Sequence, residues 1–489
     1  MLSILFIIPS ISLLLLLFIN SFSGLTLNNT TQFYILYRKN INLLLKLITL
    51  LSLFVTLFYL IYLWKLFPKI INDIEIYPSA FQLGEINIFE LTNNLNLPFL
   101  ILSSFVLIIS VLTSWYSGVS MLLFCVMMLL LEICLVGAFS CTNLFIFLLF
   151  FEASALPIFI LIAYCGSARK ERIKAGYYFL FYTFYGSLSL LLLLLNIYSL
   201  NQINFISENI LPLNNKILWL LLFVAFAVKI PLFPFHIWLP YAHVEASTPT
   251  SILLAALMLK LGGYGIIKFM LPLFDVETHK YYQFITITLC VIGCIYASLC
   301  ALRQIDLKRY IAFSSVAHMS FATLGIFTYT EIGIKGSIYL MLSHGLTSTA
   351  LFFLVGTLSD RHHTRAVTSF SGLLSTMPLF SFFFIVMSLA NAGFPGTSGF
   401  IPEIEILISI VSQAITDIPG VFYLIFILFG MFLTTVGTLL PLLRMLFGHQ
   451  KILSFKSNWV DLSKQEFFIL IILTIFVLIL GLYDVLYWI

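Results

Sequence analysis

Long apolar runs follow one another along almost the whole chain, and the short polar connections between them collect most of the charges. A bilayer-spanning helix needs about 20 mostly apolar residues. Windows of that kind fall at 2–20, 41–64, 97–116, 119–139, 142–164, 176–198, 217–239, 249–272, 282–302, 309–328, 334–358, 374–414, 420–446 and 466–488. The pattern predicts an all-α polytopic membrane protein of about 14 transmembrane helices, the twelfth window overlong and broken. An even number of spans puts both ends on one side. The first window lacks a basic leading region and a small-residue cleavage site, so it reads as a spanning helix rather than a signal peptide.

Basic residues give an independent test of this count. Connections after odd-numbered spans, with the span ends beside them, carry 15 Lys and Arg, those after even-numbered spans carry 6, and Lys46, Lys229 and Lys260 lie deeper inside spans. The positive-inside rule then places both termini outside. The longest connection, 65–96, breaks the helical pattern. Ile74 and Ile76 alternate with Asp73 and Glu75, and Ile86 and Ile88 with Glu85 and Asn87, with Pro78 and Gly84 between. A period of two bounded by turn residues predicts a β-hairpin near 70–92, on the outer face.

Composition narrows the function classes. Of 489 residues, 61% are hydrophobic and 9% charged, which excludes a soluble enzyme, a disordered scaffold and a nucleic-acid binder. The net charge of +4 is spread along the chain and points to no partner. All seven Cys fall in or beside apolar stretches, which argues against a disulfide framework or a soluble metal site. Abundant Ile, Leu, Phe, Asn, Tyr and Lys are what A+T-rich codons give, a hint of an organelle genome.

Charges inside spans are the informative exceptions. At the bilayer centre each costs about 3 to 10 kcal/mol. Glu132 lies in the fourth span, Glu152 in the fifth, Lys229 in the seventh, Lys260 in the eighth, His318 in the tenth, His344 in the eleventh, and Glu403 with Glu405 in the twelfth. For any one of them a neutralising pair that fixes helix register is an equal reading. For the series, a proton relay built from Glu, Lys and His explains more, because one or two pairs would suffice for packing.

Lys229 precedes Ile230-Pro231 and Phe233-Pro234. Each proline lacks an N–H and frees the carbonyl four residues earlier, at Ala227 and Ile230. A lysine at such a break predicts a hydrated pocket around the ammonium, with Glu152 the candidate partner that restores its charge. The twelfth span carries a similar break at Gly393, Pro395, Gly396, Gly399 and Pro402, with Glu403 immediately after. Glu403 and Glu405 stand about 200° apart on a helix, so only one of them faces the interior. The two breaks echo each other: Phe233-Pro234, Pro240 and Glu245 match Phe394-Pro395, Pro402 and Glu405 at offsets of 160 to 162. Five spans separate them, which inverts the second copy.

Weaker signals carry less. His362-His363 reads as a solvated connection rather than a metal site, and Cys290 with Cys294 as packing. Gly262-Gly263-Tyr264-Gly265 lacks the strand–turn–helix context of a phosphate loop. His236 and His243 either line an access path or cap polar backbone.

Ala227-Val228-Lys229-Ile230-Pro231, leading into His236-Ile237-Trp238-Leu239-Pro240-Tyr241-Ala242-His243-Val244-Glu245-Ala246 and continued by Lys260-Leu261-Gly262-Gly263-Tyr264-Gly265, resembles the hallmark segment of the antiporter-like proton-pumping subunits of respiratory complex I. Phe151-Glu152-Ala153 and Gly176-Tyr177-Tyr178-Phe179-Leu180-Phe181-Tyr182 look like the chain 4 group of that family. The match covers about residues 100–450. It implies fourteen helices with two inverted five-helix repeats and discontinuous helices 7 and 12. Residues 1–118 then hold helices 1–3, 119–272 the first repeat, 282–446 the second and 466–489 the last helix.

The resemblance also implies roles for matching positions. Glu152 pairs with and modulates Lys229, Lys260 links two half-channels, His318 and His344 continue the polar axis, and Glu403 ends it. The sister chains 2 and 5 have lysine at that last position. Pro402 stands where the family has glycine, and Glu405 adds a second carboxylate beside Glu403. The implied function is a proton-translocating membrane-arm subunit in a mitochondrial inner membrane, partnered by chains 2 and 5 and by lipids. It would hold no cofactor itself, with FMN, iron–sulfur clusters and ubiquinone on other subunits. The rival reading is a subunit of a multisubunit cation/proton antiporter.

Overall fold

The computed structural model describes residues 2–23, 32–70, 82–83, 86–87, 95–114, 121–167, 171–199, 213–416, 418–449 and 459–482. They fall into two compact units, 1–210 with 245–250, and 211–244 with 251–489. Each is described by itself.

The first unit contains α1 (Leu2–Ser23), α2 (Gln32–Ile70), a short hairpin, α3 (Asn96–Thr113), α4 (Met121–Ser140), α5 (Leu144–Ala153), α6 (Ala155–Cys165) and α7 (Glu171–Ser199). The hairpin pairs β1 (Gln82–Leu83) antiparallel to β2 (Ile86–Asn87). It is tighter than the sequence pattern suggests, and the run at 73–76 lies outside the described residues. α2 and α4 run parallel. Thr49 meets Cys125 and Thr56 meets Glu132, so contacts advance by seven residues on both helices together. Parallel packing of the second and fourth spans is what one intervening crossing by α3 requires. The fifth span is not one smooth helix: it turns at Ser154, three residues before Pro157, whose missing N–H leaves that turn without a helical bond.

The second unit begins with α8 (Lys216–Lys229), capped by the Asn215 side chain, and continues into α9 (Trp238–Glu245), whose last residue is assigned to the first unit. The eighth span is α10 (Thr248–Leu253), a π turn (Leu254–Met258), α11 (Leu259–Gly265), a second π turn (Ile266–Met270) and α12 (Leu271–Leu273). Its first three residues, Thr248 to Thr250, belong to the first unit. Then follow α13 (Val276–Leu302), α14 (Leu307–Phe327), α15 (Glu331–His362), the short α16 (Leu373–Thr376), α17 (Pro378–Asn391), α18 (Phe400–Thr416), α19 (Ile418–Leu446) and α20 (Lys464–Leu482).

Eleven of these helical stretches are long and apolar enough to cross a membrane, and Ser3–Ile19 and Pro378–Asn391 are shorter apolar helices. The seventh and twelfth spans are discontinuous. α8 stops at Lys229 and the chain resumes as helix at Trp238; α17 stops at Asn391 and α18 starts at Phe400. Both gaps are eight residues long, 230–237 and 392–399.

Polarity and burial correlate across the second unit. α14 and α15 carry His318 and His344 and are 94% and 89% buried over their spanning windows, whereas the more apolar α19 is 28% buried. The helices with ionisable groups at mid-span therefore sit inside, and the most exposed ones keep their charges at their ends, Arg444 on α19 and Lys464 with Glu466 on α20. α14 achieves this with small residues, among them Ser314, Ser315, Ala317, Ser320, Ala322 and Gly325, which let backbones approach closely. Its hydroxyls return to carbonyls of its own preceding turn, as Ser314 does to Ile311 and Ser320 to Val316.

His362 departs from the sequence expectation. It ends α15 and packs between Phe370 and Trp459 rather than in a solvated connection. The helix simply runs four residues past its apolar stretch, held by the Arg361–Glu466 ion pair.

Candidate functional site

The break after α8 is closed by protein groups. Ala227 O, freed by Pro231, accepts the Leu232 N–H at 2.9 Å, and Val228 O accepts the Trp238 indole N–H at 3.0 Å. Backbone from within the break itself thus satisfies the carbonyl that Pro231 frees at Ala227. Lys229 is the last residue of α8 and 2% exposed. The glycine run that resembles a phosphate loop has a packing role here. A Cβ on Gly262 would lie 3.1 Å from Ile230 N and 3.1 Å from Phe226 O, so only glycine lets α11 approach the end of α8 this closely.

Lys260 sits on α11 between the two π turns, fully buried. π turns leave carbonyls out of the regular ladder and are frequent at functional sites. Here Ala255 O, in the first π turn, accepts from Lys260 Nζ at 2.6 Å. The ammonium's other near partner is His344 Nδ1 on α15, at 2.9 Å. The His344 and His318 rings follow, their centroids 5.7 Å apart. His318 Nδ1 stands 3.7 Å from Glu403 Oε1. Glu403 lies in the first turn of α18, and its carboxyl covers Gly393, whose φ of +69° only glycine adopts without strain. Lys260, His344, His318 and Glu403 thus stand in one file through the second unit, hydrogen-bonded between the first two and spaced more widely after His344.

Glu405 points elsewhere, its Cβ against Gly336 of α15. Glu152 lies on α5 in the first unit, half-buried, and accepts from the Ser187 hydroxyl at 3.3 Å. Glu132 lies on α4 in the first unit, 2.7 Å from the Thr56 hydroxyl of α2. His236 and His243 are both buried. His243 stacks on Phe352 at 4.5 Å, and neither of its ring nitrogens has a hydrogen-bond partner. Among the described residues, no three His, Cys, Asp or Glu side chains are placed to hold a metal ion.

Two features of this site had no sequence signal: the π turns around Lys260 and the indole cap on Val228. The first arises from how the span packs. The second uses a tryptophan ten residues away in a segment that reads as span.

Comparison with known proteins fits this arrangement. The sequence pattern of the NADH:quinone oxidoreductase/Mrp antiporter transmembrane family matches residues 141–434. The chain is 43% identical over 400 residues to NADH-ubiquinone oxidoreductase chain 4 of Chondrus crispus, covering 80% of this chain and 79% of that one. In fold it is similar to a chain in respiratory complex I from Thermus thermophilus with bound NADH (TM-score 0.81, 24% identity, 99% and 96% of the two chains). It is also similar to a chain of the Mrp complex from Dietzia (TM-score 0.79, 17% identity, 100% and 95%). The chain belongs to the antiporter-like membrane subunits of NADH:quinone oxidoreductases and Mrp antiporters, within the chain 4 group of the oxidoreductases.

Proposed function

We propose that this chain moves protons across the membrane as a membrane-arm subunit of NADH:ubiquinone oxidoreductase. The path runs along Glu152, Lys229, Lys260, His344, His318 and Glu403. The observation that carries the reading is the file from Lys260 to Glu403, four ionisable side chains in succession among enclosed helices.

The chemistry follows from the contacts. A charged Lys260 donates to His344 Nδ1, so His344 starts as the neutral acceptor. Passing the proton leaves Lys260 neutral, still held by Ala255 O. The next step, from His344 to His318, crosses the gap between rings with one water or a ring rotation, and Glu403 receives the proton at the far end. Movement of Glu152 relative to Lys229 switches the first lysine between holding and releasing its proton. The coupling is reciprocal: whatever the redox step contributes to proton affinity here, proton binding returns to the redox step.

NADH, FMN, iron–sulfur clusters and ubiquinone would then belong to partner subunits, and the sister chains 2 and 5 would flank this one. The eukaryotic chain 4 relative supports a mitochondrial inner membrane. The fold shared with an Mrp complex supports the rival reading, a cation/proton antiporter subunit. Native electrophoresis with an NADH-oxidation stain separates the two. A large NADH-oxidising band containing the chain supports the first, and a smaller redox-silent assembly the second. Within the oxidoreductase, Lys229→Ala is expected to remove most proton translocation linked to this chain. An unchanged proton-to-electron ratio in the assembled variant would falsify the path.

A further inference from the structure

Outside the file, the first unit holds another buried carboxyl. Glu132 on α4 is 2% exposed and lies before the stretch that matches the family pattern. Its Oε1 is 2.7 Å from Thr56 Oγ1 on α2, and its Oε2 is buried without a hydrogen-bond partner. Thr56 Oγ1 is also 2.9 Å from Leu53 O, one turn earlier on its own helix. A threonine hydroxyl has one proton to give and lone pairs to accept with. If that proton goes to Leu53 O, the contact with Glu132 needs a proton supplied by the carboxyl. If it goes to Glu132, the carboxylate keeps one donor for two oxygens in an apolar bundle.

The surroundings decide between these states. α4 packs against α1, α2, α3, α5 and α6. α1 and α3 carry no charged or titratable side chain. On α2, among the described side chains, Lys46 lies ten residues from Thr56, about 15 Å along the axis, and donates to Ser114 O. Lys65 is exposed nine residues the other way, and Tyr59 and Tyr62 bring no charge. α5 brings Glu152, a like charge engaged with Ser187; α6 brings Tyr164, which is exposed, and Cys165. On α4 itself the titratable neighbours are the thiols Cys125 and Cys134. No cation is within ion-pair distance among the described residues. An ionised carboxylate here would have one hydroxyl donor and no counter-charge to offset its desolvation, whereas the neutral acid leaves only one unpaired oxygen. Two side-chain oxygens are also too few for a hard metal cation, which takes six or more.

We propose that Glu132 is a proton-binding site separate from the transport file, occupied when the α2–α4 seam is closed, with Glu132 O–H donating to Thr56 Oγ1 and Thr56 O–H to Leu53 O. Closing the seam takes up one proton, and opening it to water releases one. The site stands whether or not the chain pumps protons.

Infrared difference spectra of the intact membrane assembly test this. Glu132→Gln is expected to remove a protonated-carboxyl C=O band and no carboxylate bands. Thr56→Val is expected to keep that band and move it to the higher frequency of an acid without a hydrogen-bond partner. Loss of carboxylate bands in Glu132→Gln would overturn the proposal. If Glu132→Gln does not assemble, Thr56→Val alone decides: a shifted acid band sustains the proposal, and an unmoved spectrum in the acid region overturns it.

Discussion

Gly393 and Gly396 offer a matched pair of perturbations. Both lie in the break between α17 and α18 and both have positive φ, +69° and +85°. An alanine at either position carries the same backbone penalty, about 1–2 kcal/mol for an L-residue in the left-handed region. They differ in what the new methyl meets. At Gly396 there is nothing within 4 Å; at Gly393 the Cβ would lie 2.8 Å from Glu403 Cδ and closer still to one carboxylate oxygen. Glu403 is the flexible end of a side chain, so it swings away, and its 3.7 Å approach to His318 is lost. A contact to a charged group is worth at most about 3 kcal/mol, which in a rate is up to about a hundredfold. Both variants should therefore lose similar thermal stability, while proton transfer falls only in Gly393→Ala. The assay is acidification of sealed vesicles by a pH dye, recorded together with NADH oxidation. Equal proton-to-electron ratios in the two variants would refute the placement of Glu403 in the path.

Two further outcomes follow from the same geometry. Glu403→Gln should reduce proton translocation more than Glu405→Gln in the same vesicles, because Glu403 reaches to 3.7 Å from His318; equal or reversed effects would move the terminal role to Glu405. Trp238→Phe should lower stability by about 1–3 kcal/mol, since it leaves the buried Val228 carbonyl without its indole donor. Thermal inactivation unchanged from wild type would show that another group takes over the carbonyl.

The residues of the file were legible for a simple reason: ionisable groups in apolar spans are costly, so each stands out without structural knowledge. The two breaks were legible because proline and glycine remove backbone bonds wherever they occur. Harder to read was anything set by packing between distant segments. Lys260 reads as a lysine in an ordinary span, yet its ammonium depends on a carbonyl exposed by a π turn that no local residue encodes. The bend at Ser154 rests on Pro157, a proline inside an apolar window that otherwise continues smoothly. The helical step correctly separates Glu403 from Glu405 by direction, but only the neighbours, His318 for one and Gly336 for the other, say which direction is which.

α14 and α15 combine low apolarity with near-complete enclosure, and this bears on how the chain is made. Emerging from the ribosome, these two segments are the least able of the long spans to partition into lipid unaided. Their enclosing neighbours α18 and α19 are synthesised afterwards. α14 and α15 therefore gain most of their enclosure only when α18 and α19 arrive, and truncations that end the chain between α15 and α18 should weaken the retention of both in the bilayer.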